Sequence, residues 1–159
     1  MTPADRAAVP GVGELADQLA IRDLLAAFAG AVNRMRPAEL RPIFTDDARW
    51  VVTGFGEPQG PDAIEAFLDE LLVKWAMIFH AIHSGRVTLD GDRAQGEWYI
   101  SEFGQLTDGT EVRIAGVYHD EYARGPDGRW RFALRRYDGM FSRWGADLKV
   151  TPYPSDLLP

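Results

Sequence analysis

The apolar residues of this chain keep two different periods, and the change between them limits what it can fold into. In the first half they recur mostly at steps of three and four, as on one face of a helix; from His83 onward they recur at every second position, as on one face of a strand. Ile21, Leu24, Leu25, Phe28 and Val32 form the first stripe, which predicts a helix from Glu14 to Asn33–Arg36, ending before Pro37. Pro37 opens a short element carrying Leu40, Ile43 and Phe44, and Pro42 removes an interior hydrogen bond, so a kinked or single-turn helix is expected. Thr45-Asp46-Asp47 reads as polar punctuation, and Ala48 to Thr53 as a strand with Trp50 and Val52 on one face. After a loop, Gly60-Pro61-Asp62 starts a second helix with Ile64, Phe67, Leu68, Leu71, Leu72 and Trp75 in register.

The alternating half is divided by turns. His83, Gly85, Val87 and Leu89 share one face of a strand that ends at Asp90-Gly91-Asp92. Arg93 to Leu106 follows, with Trp98 and Ile100 alternating against Tyr99; Thr107-Asp108-Gly109-Thr110 turns into Glu111 to Ala123. Gly125-Pro126-Asp127-Gly128 turns again, and Trp130, Phe132 and Leu134 mark a last long strand running past Tyr137. Helices first and a long meander after them specify an α+β domain, with the sheet bent around the helices to enclose a conical cavity. The expected organisation is a leader over 1–13, one domain over 14–148 and a proline-bearing tail over 149–159. Several strands are apolar on both faces, so a homo-oligomer, trimer or dimer, is expected to cover the outer one.

Composition excludes more than it selects. Net charge is −7, which disfavours nucleic acid and anionic membranes as partners. Absence of cysteine removes disulfides and thiolate metal sites. No apolar run approaches the roughly 18 residues of a membrane span, and the leader lacks the apolar segment of a secretory signal, so a cytoplasmic protein is expected. Five Trp and eight Phe suit either a bulky core or the lining of a hydrophobic cavity. Phe28, Trp50, Phe79, Tyr118, Tyr137 and Met140 are the candidates for the lining.

The stretch Ile78-Phe79-His80-Ala81-Ile82-His83-Ser84-Gly85-Arg86 holds two of the three histidines in an apolar run, and a neutral imidazole there is a proton-transfer device. His83, on the face of Val87 and Leu89, is the candidate base; His80 reads as structural or pocket wall, and His119, beside Asp120 and Glu121, as part of a polar face. No helix-borne pair or carboxylate spacing turns the three into a metal site, so none is expected. Arg135 falls opposite Trp130, Phe132 and Leu134 in an ideal strand, yet Arg135 and Arg136 are adjacent and one must face inward unless a bulge changes the count. An inward arginine has two readings, a site for developing negative charge or a salt bridge to a carboxylate, and the letters leave both open.

Four local patterns carry a resemblance: Leu19-Ala20-Ile21-Arg22-Asp23-Leu24-Leu25, Phe44-Thr45-Asp46-Asp47-Ala48-Arg49-Trp50, Gly116-Val117-Tyr118-His119-Asp120-Glu121-Tyr122 and Gly128-Arg129-Trp130-Arg131-Phe132. In this order, over roughly Leu15 to Phe141, the chain resembles the nuclear transport factor 2-like superfamily and its SnoaL-like group. The likeness is closer to the hexachlorocyclohexane dehydrochlorinase and scytalone dehydratase branch. It implies a cone-shaped barrel, a strongly bent, mixed and mostly antiparallel sheet wrapped around N-terminal helices. It also implies proton abstraction and leaving-group expulsion from a small hydrophobic substrate, with no metal or organic cofactor. Ile82-His83-Ser84-Gly85 matches the place of that branch's base and Arg135 its arginine, while Asn33 stands where the branch carries the aspartate that backs the base. An amide orients a ring without contributing charge, so direct inheritance of dehydrochlorinase activity is not expected. Asp23, Asp46, Asp47 and Asp120 are the other acids considered as partners of His83.

The expectation is therefore a cofactor-independent lyase or isomerase, of dehydratase, dehydrohalogenase or cyclase type, with His83 as base, Asn33 orienting it and Arg135 stabilising negative charge. The alternatives are a non-catalytic hydrophobic ligand-binding protein and a cyclase acting by confinement.

Overall fold

Helix α1 spans Val12–Asn33, and the 3-10 helix that follows, Pro37–Ile43, contains Pro42. The computed structural model describes residues 10–150, so the leader before Pro10 and the tail beyond Val150 lie outside the described residues. Glu14 reaches back to accept the Gly11 N–H, capping α1, and Met35 in the left-handed region (φ 53) ends it just past Asn33. Ile21, Leu24, Leu25, Phe28 and Val32 are all buried, so the predicted stripe is the face that packs on the sheet. Helix α2, Pro61–Leu72, opens on Pro61 as expected but stops three residues before Trp75.

Six strands form one mixed sheet: β1 (Phe44–Val52), β2 (Trp75–Asp90), β3 (Arg93–Leu106), β4 (Glu111–Arg124), β5 (Trp130–Trp144) and β6 (Asp147–Val150). Their order is β1-β5-β4-β3-β2, with β6 on β5; β1 runs parallel to β5 and every other pairing is antiparallel. This is the expected α+β cone, left open, with β1 and β2 at its two edges.

The strands begin earlier than the polar letters suggested. Thr45-Asp46-Asp47 belongs to β1, where the pairing jumps from Phe44↔Phe132 to Arg49↔Leu134 and lets the polar residues loop out of the ladder. Trp75 to Ile82 is strand rather than the end of a helix, and β6 was not anticipated.

Extra residues in two strands set which side chains face inward. In β2 the pairing passes from Ile82↔Ile100 to Gly85↔Trp98, three residues against two. Ile78, His80 and Ile82 lie on the inner face before the shift, and Val87 and Leu89 after it. Gly85 is required at the join: a Cβ there would stand 2.3 Å from both the Glu97 carbonyl oxygen and the Trp98 ring. In β5, Phe132 pairs with Tyr122 and Leu134 with Glu121, leaving Ala133 extra. The residue opposite in parity to Trp130 and Phe132 is thereby turned inward, and it is Arg135.

Candidate active site

The cone encloses an apolar cavity of about 110 Å³, lined among others by Trp50, Trp75, Glu102, Tyr118, Tyr137 and Trp144, with exposed Phe55 among its walls. That is close to the ~150 Å³ of a dry cavity that holds benzene, so the space suits one small ring rather than a long chain. Among the described residues, Glu102 is the one charged group that lines it.

Glu102 follows Trp98 and Ile100 by strict alternation along β3, and so faces inward. Directly opposite it on β2 is His80. The N–H and C=O of His80 point to the free edge of the sheet, which makes this a non-hydrogen-bonded cross-strand pair, the kind whose side chains approach most closely. His80 Nδ1 lies 2.6 Å from Glu102 Oε1. A carboxylate oxygen accepts, so Nδ1 is the ring nitrogen that carries the proton and donates. His80 Nε2 is buried without a hydrogen-bond partner, and the ring packs against Phe28 (5.7 Å between centroids) and Tyr118 (5.9 Å).

Two strands further along the sheet, on β5, Arg135 is 0% exposed. Its guanidinium carbon stands 3.6 Å from the Tyr118 ring centre, 4.0 Å from that of Phe28 and 4.5 Å from that of Phe132, an aromatic cage that holds a desolvated cation. Asp120 supplies the counter-charge at 3.5 Å, too long for a hydrogen bond, and no guanidinium nitrogen has a hydrogen-bond partner. Asp120 is held on its other side by the Tyr122 hydroxyl, which in turn accepts the Trp98 indole N–H, both at 2.9 Å. Burial pushes the Asp120 carboxyl up to about 6, against the pull of Arg135 and Tyr122. Burial also raises the Tyr118 hydroxyl well above the ordinary phenol range, with Arg135 opposing and Glu102 adding to the rise, and it raises Tyr137 with help from Glu102 and Asp138.

The expected site residues separate in the folded chain. His83 is exposed on the outer face, bonded through Nε2 to Ser101 Oγ at 2.7 Å; the count back from Val87 and Leu89 put it inside, and the extra residue before Gly85 reverses that. Arg135 does face inward, but sealed behind Tyr118 and Phe28 rather than on the cavity wall. Asn33 touches neither imidazole: its Nδ2 donates to the His80 carbonyl at 3.0 Å and its Oδ1 accepts the His80 N–H at 2.5 Å. Of the proposed lining, Trp50, Tyr118 and Tyr137 border the cavity, and Phe28 floors it from behind. Phe79 instead lies half-exposed on the outer face, stacked on Phe103 at 5.0 Å, and Met140 sits at a second pairing shift in β5, outside the lining. Asp23, Asp46 and Asp47 are exposed and Asp120 belongs to Arg135; the acid beside His80 is Glu102. Alternation from Trp98 and Ile100 was signal enough to find Glu102, a lone charge in an apolar row.

The model of the SnoaL-like domain matches residues 13–136. This chain belongs to the SnoaL-like domain family. Among curated relatives, the γ-hexachlorocyclohexane dehydrochlorinase of Sphingobium indicum is 32% identical over 126 residues, which is 76% of this chain and 79% of that enzyme. An uncharacterized protein of Mycobacterium tuberculosis is 30% identical over 129 residues, 78% of this chain and 86% of its own. The solved structure of a type 2 hexachlorocyclohexane dehydrochlorinase superposes with a TM-score of 0.79 at 26% identity, covering 87% of this chain and 95% of that one. A scytalone dehydratase-like structure from Novosphingobium aromaticivorans gives 0.78 at 16% identity, covering 89% and 95%, a likeness of fold alone. Among the described residues of this SnoaL-like domain, no group of three or more His, Asp or Glu side chains is placed to hold a metal ion, and no helix is long and apolar enough to cross a membrane.

Proposed function

We propose that this SnoaL-like protein is a cofactor-independent lyase that removes a proton and a leaving group from adjacent atoms of a small, largely apolar ring. The observation that carries the reading is the Glu102–His80 pair at the wall of an aromatic cavity. Glu102 meets the substrate and accepts the proton from carbon; the C–H pair becomes the new double bond, and the leaving group departs with its bonding electrons. His80, behind the wall, donates Nδ1–H to Glu102 and fixes the carboxylate. The Tyr137 hydroxyl and the Trp50 indole N–H are buried donors without partners on lining residues, and they are the groups available to a leaving atom. Arg135 acts through Tyr118, whose ring its charge faces, rather than by touching substrate.

The dehydrochlorinase relatives support elimination as the reaction type, and the expulsion of halide or of water is a choice the cavity leaves to its donors. The test is a panel of small halogenated and hydroxylated rings, followed for product and for exchange of substrate C–H with deuterated solvent. Wild type turning over or exchanging at least one, with Glu102→Gln inactive, supports the reading; exchange that persists in Glu102→Gln removes Glu102 as base. One observation favours ligand binding without chemistry: neither His80 nor Arg135 lines the cavity. That reading predicts saturable binding with no exchange. The homo-oligomer remains part of the proposal, with Met77, Phe79, Tyr99 and Phe103 as the exposed outer-face row, and a monomeric mass by light scattering at micromolar concentration counts against it.

A further inference from the structure

Strand β2 carries two imidazoles three residues apart, and a regular strand presents them to opposite faces. Which one faces inward depends on where the extra residue of the β2–β3 ladder sits. With the extra residue between Ile82 and Gly85, His80 faces Glu102. Counted from the Asp90↔Arg93 turn without interruption, the same strand would place His80 opposite Phe103 and turn it outward. His83 would then lie opposite Ile100, on the inner face. Both registers keep the hairpin turn, so something else has to choose.

Because β2 is an edge strand, the outward N–H and C=O of His80 have no neighbouring strand to pair with. Asn33, at the last turn of α1, supplies both missing partners, Nδ2 to the carbonyl and Oδ1 to the N–H. Only a side chain that donates and accepts at once makes both bonds; an ionised carboxylate accepts the N–H but sets its charge against the carbonyl oxygen. In the uninterrupted register residue 80 would turn these backbone groups toward β3 and leave the amide without its double partner.

We infer that Asn33 is a positioning residue that selects the β2 register, and with it His80 rather than His83 as the imidazole on the inner face, where it meets Glu102. The inference rests on the Glu102–His80 reading of the site. Its test uses no substrate, so its failure is distinct from failure of the proposed elimination. Intact protein is treated with diethyl pyrocarbonate at neutral pH, and modification at His80, His83 and His119 is read by peptide mass spectrometry. In wild type, exposed His83 is modified and buried His80 is protected, and the short His80–Glu102 bond gives a slowly exchanging downfield imidazole N–H resonance that Glu102→Gln removes. In Asn33→Asp the ratio of His83 to His80 modification falls by about tenfold or more, as loss of two hydrogen bonds implies, and the downfield resonance disappears. Asn33 is itself exposed and outside the core, and Asn33→Ala gives the same fall if the aspartate variant does not fold. An unchanged ratio with the resonance retained overturns the inference, and so does an equal rise at all three histidines, which reports lost fold rather than changed register.

Discussion

Two acid–base pairs lie on the inner face of this sheet, and they differ in one respect that decides their use. Glu102 lines the cavity wall with its side chain 18% exposed, and His80 stands behind it in hydrogen-bond contact. Arg135 and Asp120, on β5 and β4, have side chains both 0% exposed and meet at 3.5 Å without a hydrogen bond. Water or a ligand reaches the first pair, so its protonation can change during a reaction. The second is closed by Phe28, Tyr118 and Phe132 on the arginine and Tyr122 on the aspartate, so its charges serve the fold and the potential around Tyr118. A buried charge is thus not by itself a catalytic one; access to the cavity separates the two.

Substitutions should break that contrast in opposite ways. Glu102→Gln is expected to lower turnover by about 10²–10⁴-fold with little change in melting, checked by initial rates alongside thermal denaturation. Asp120→Ala is expected to do the reverse, costing ~1–3 kcal/mol of stability in urea unfolding because the buried Tyr122 hydroxyl loses its acceptor. The same carboxyl gives a pH signature. Its folded value is raised to about 6 from the ordinary carboxyl value of 3.8, so between these the folded state holds a proton that the unfolded chain has released. Its stabilising contribution is complete below pH ~4 and is lost as pH rises through ~6, by up to ~3 kcal/mol, a slope that Asp120→Asn removes from urea midpoints measured across pH 4–7.

Smaller effects sharpen the boundary between the two pairs. Gly85→Ala should cost ~1–3 kcal/mol by forcing a Cβ onto the Glu97 carbonyl and the Trp98 ring, and it should weaken the His80–Glu102 resonance in NMR before it touches the arginine cage. His83→Ala should change stability by less than ~0.5 kcal/mol and leave turnover intact, since its ring meets solvent and Ser101. Loss of turnover in that variant would return the base to position 83.

Much of the fold was legible because periodicity records which face of an element is dry. The stripe Ile21, Leu24, Leu25, Phe28 and Val32 is buried as read, and the hairpin at Asp90-Gly91-Asp92 forms with Gly91 in the left-handed conformation its turn requires (φ 58). The site was less legible, for one reason that recurs. Parity along a strand survives only until an extra residue enters the ladder, and nothing local in Ile82-His83-Ser84-Gly85 or Phe132-Ala133-Leu134 announces one. The two shifts moved His83 outward and Arg135 inward, a matched pair of reversals. Glu102 lay on β3, whose ladder to β4 is uninterrupted, and alternation there was sound.

Residue order alone therefore determined the helices, the meander and the family, since each follows from local hydrophobic spacing and turn chemistry. The choice of histidine, the inward turn of Arg135 and the pairing of Glu102 with His80 were decided by the ladders between strands and by Asn33 on the free edge of β2. Those are contacts between residues 47 and 22 positions apart along the chain, and only the folded sheet brings them together.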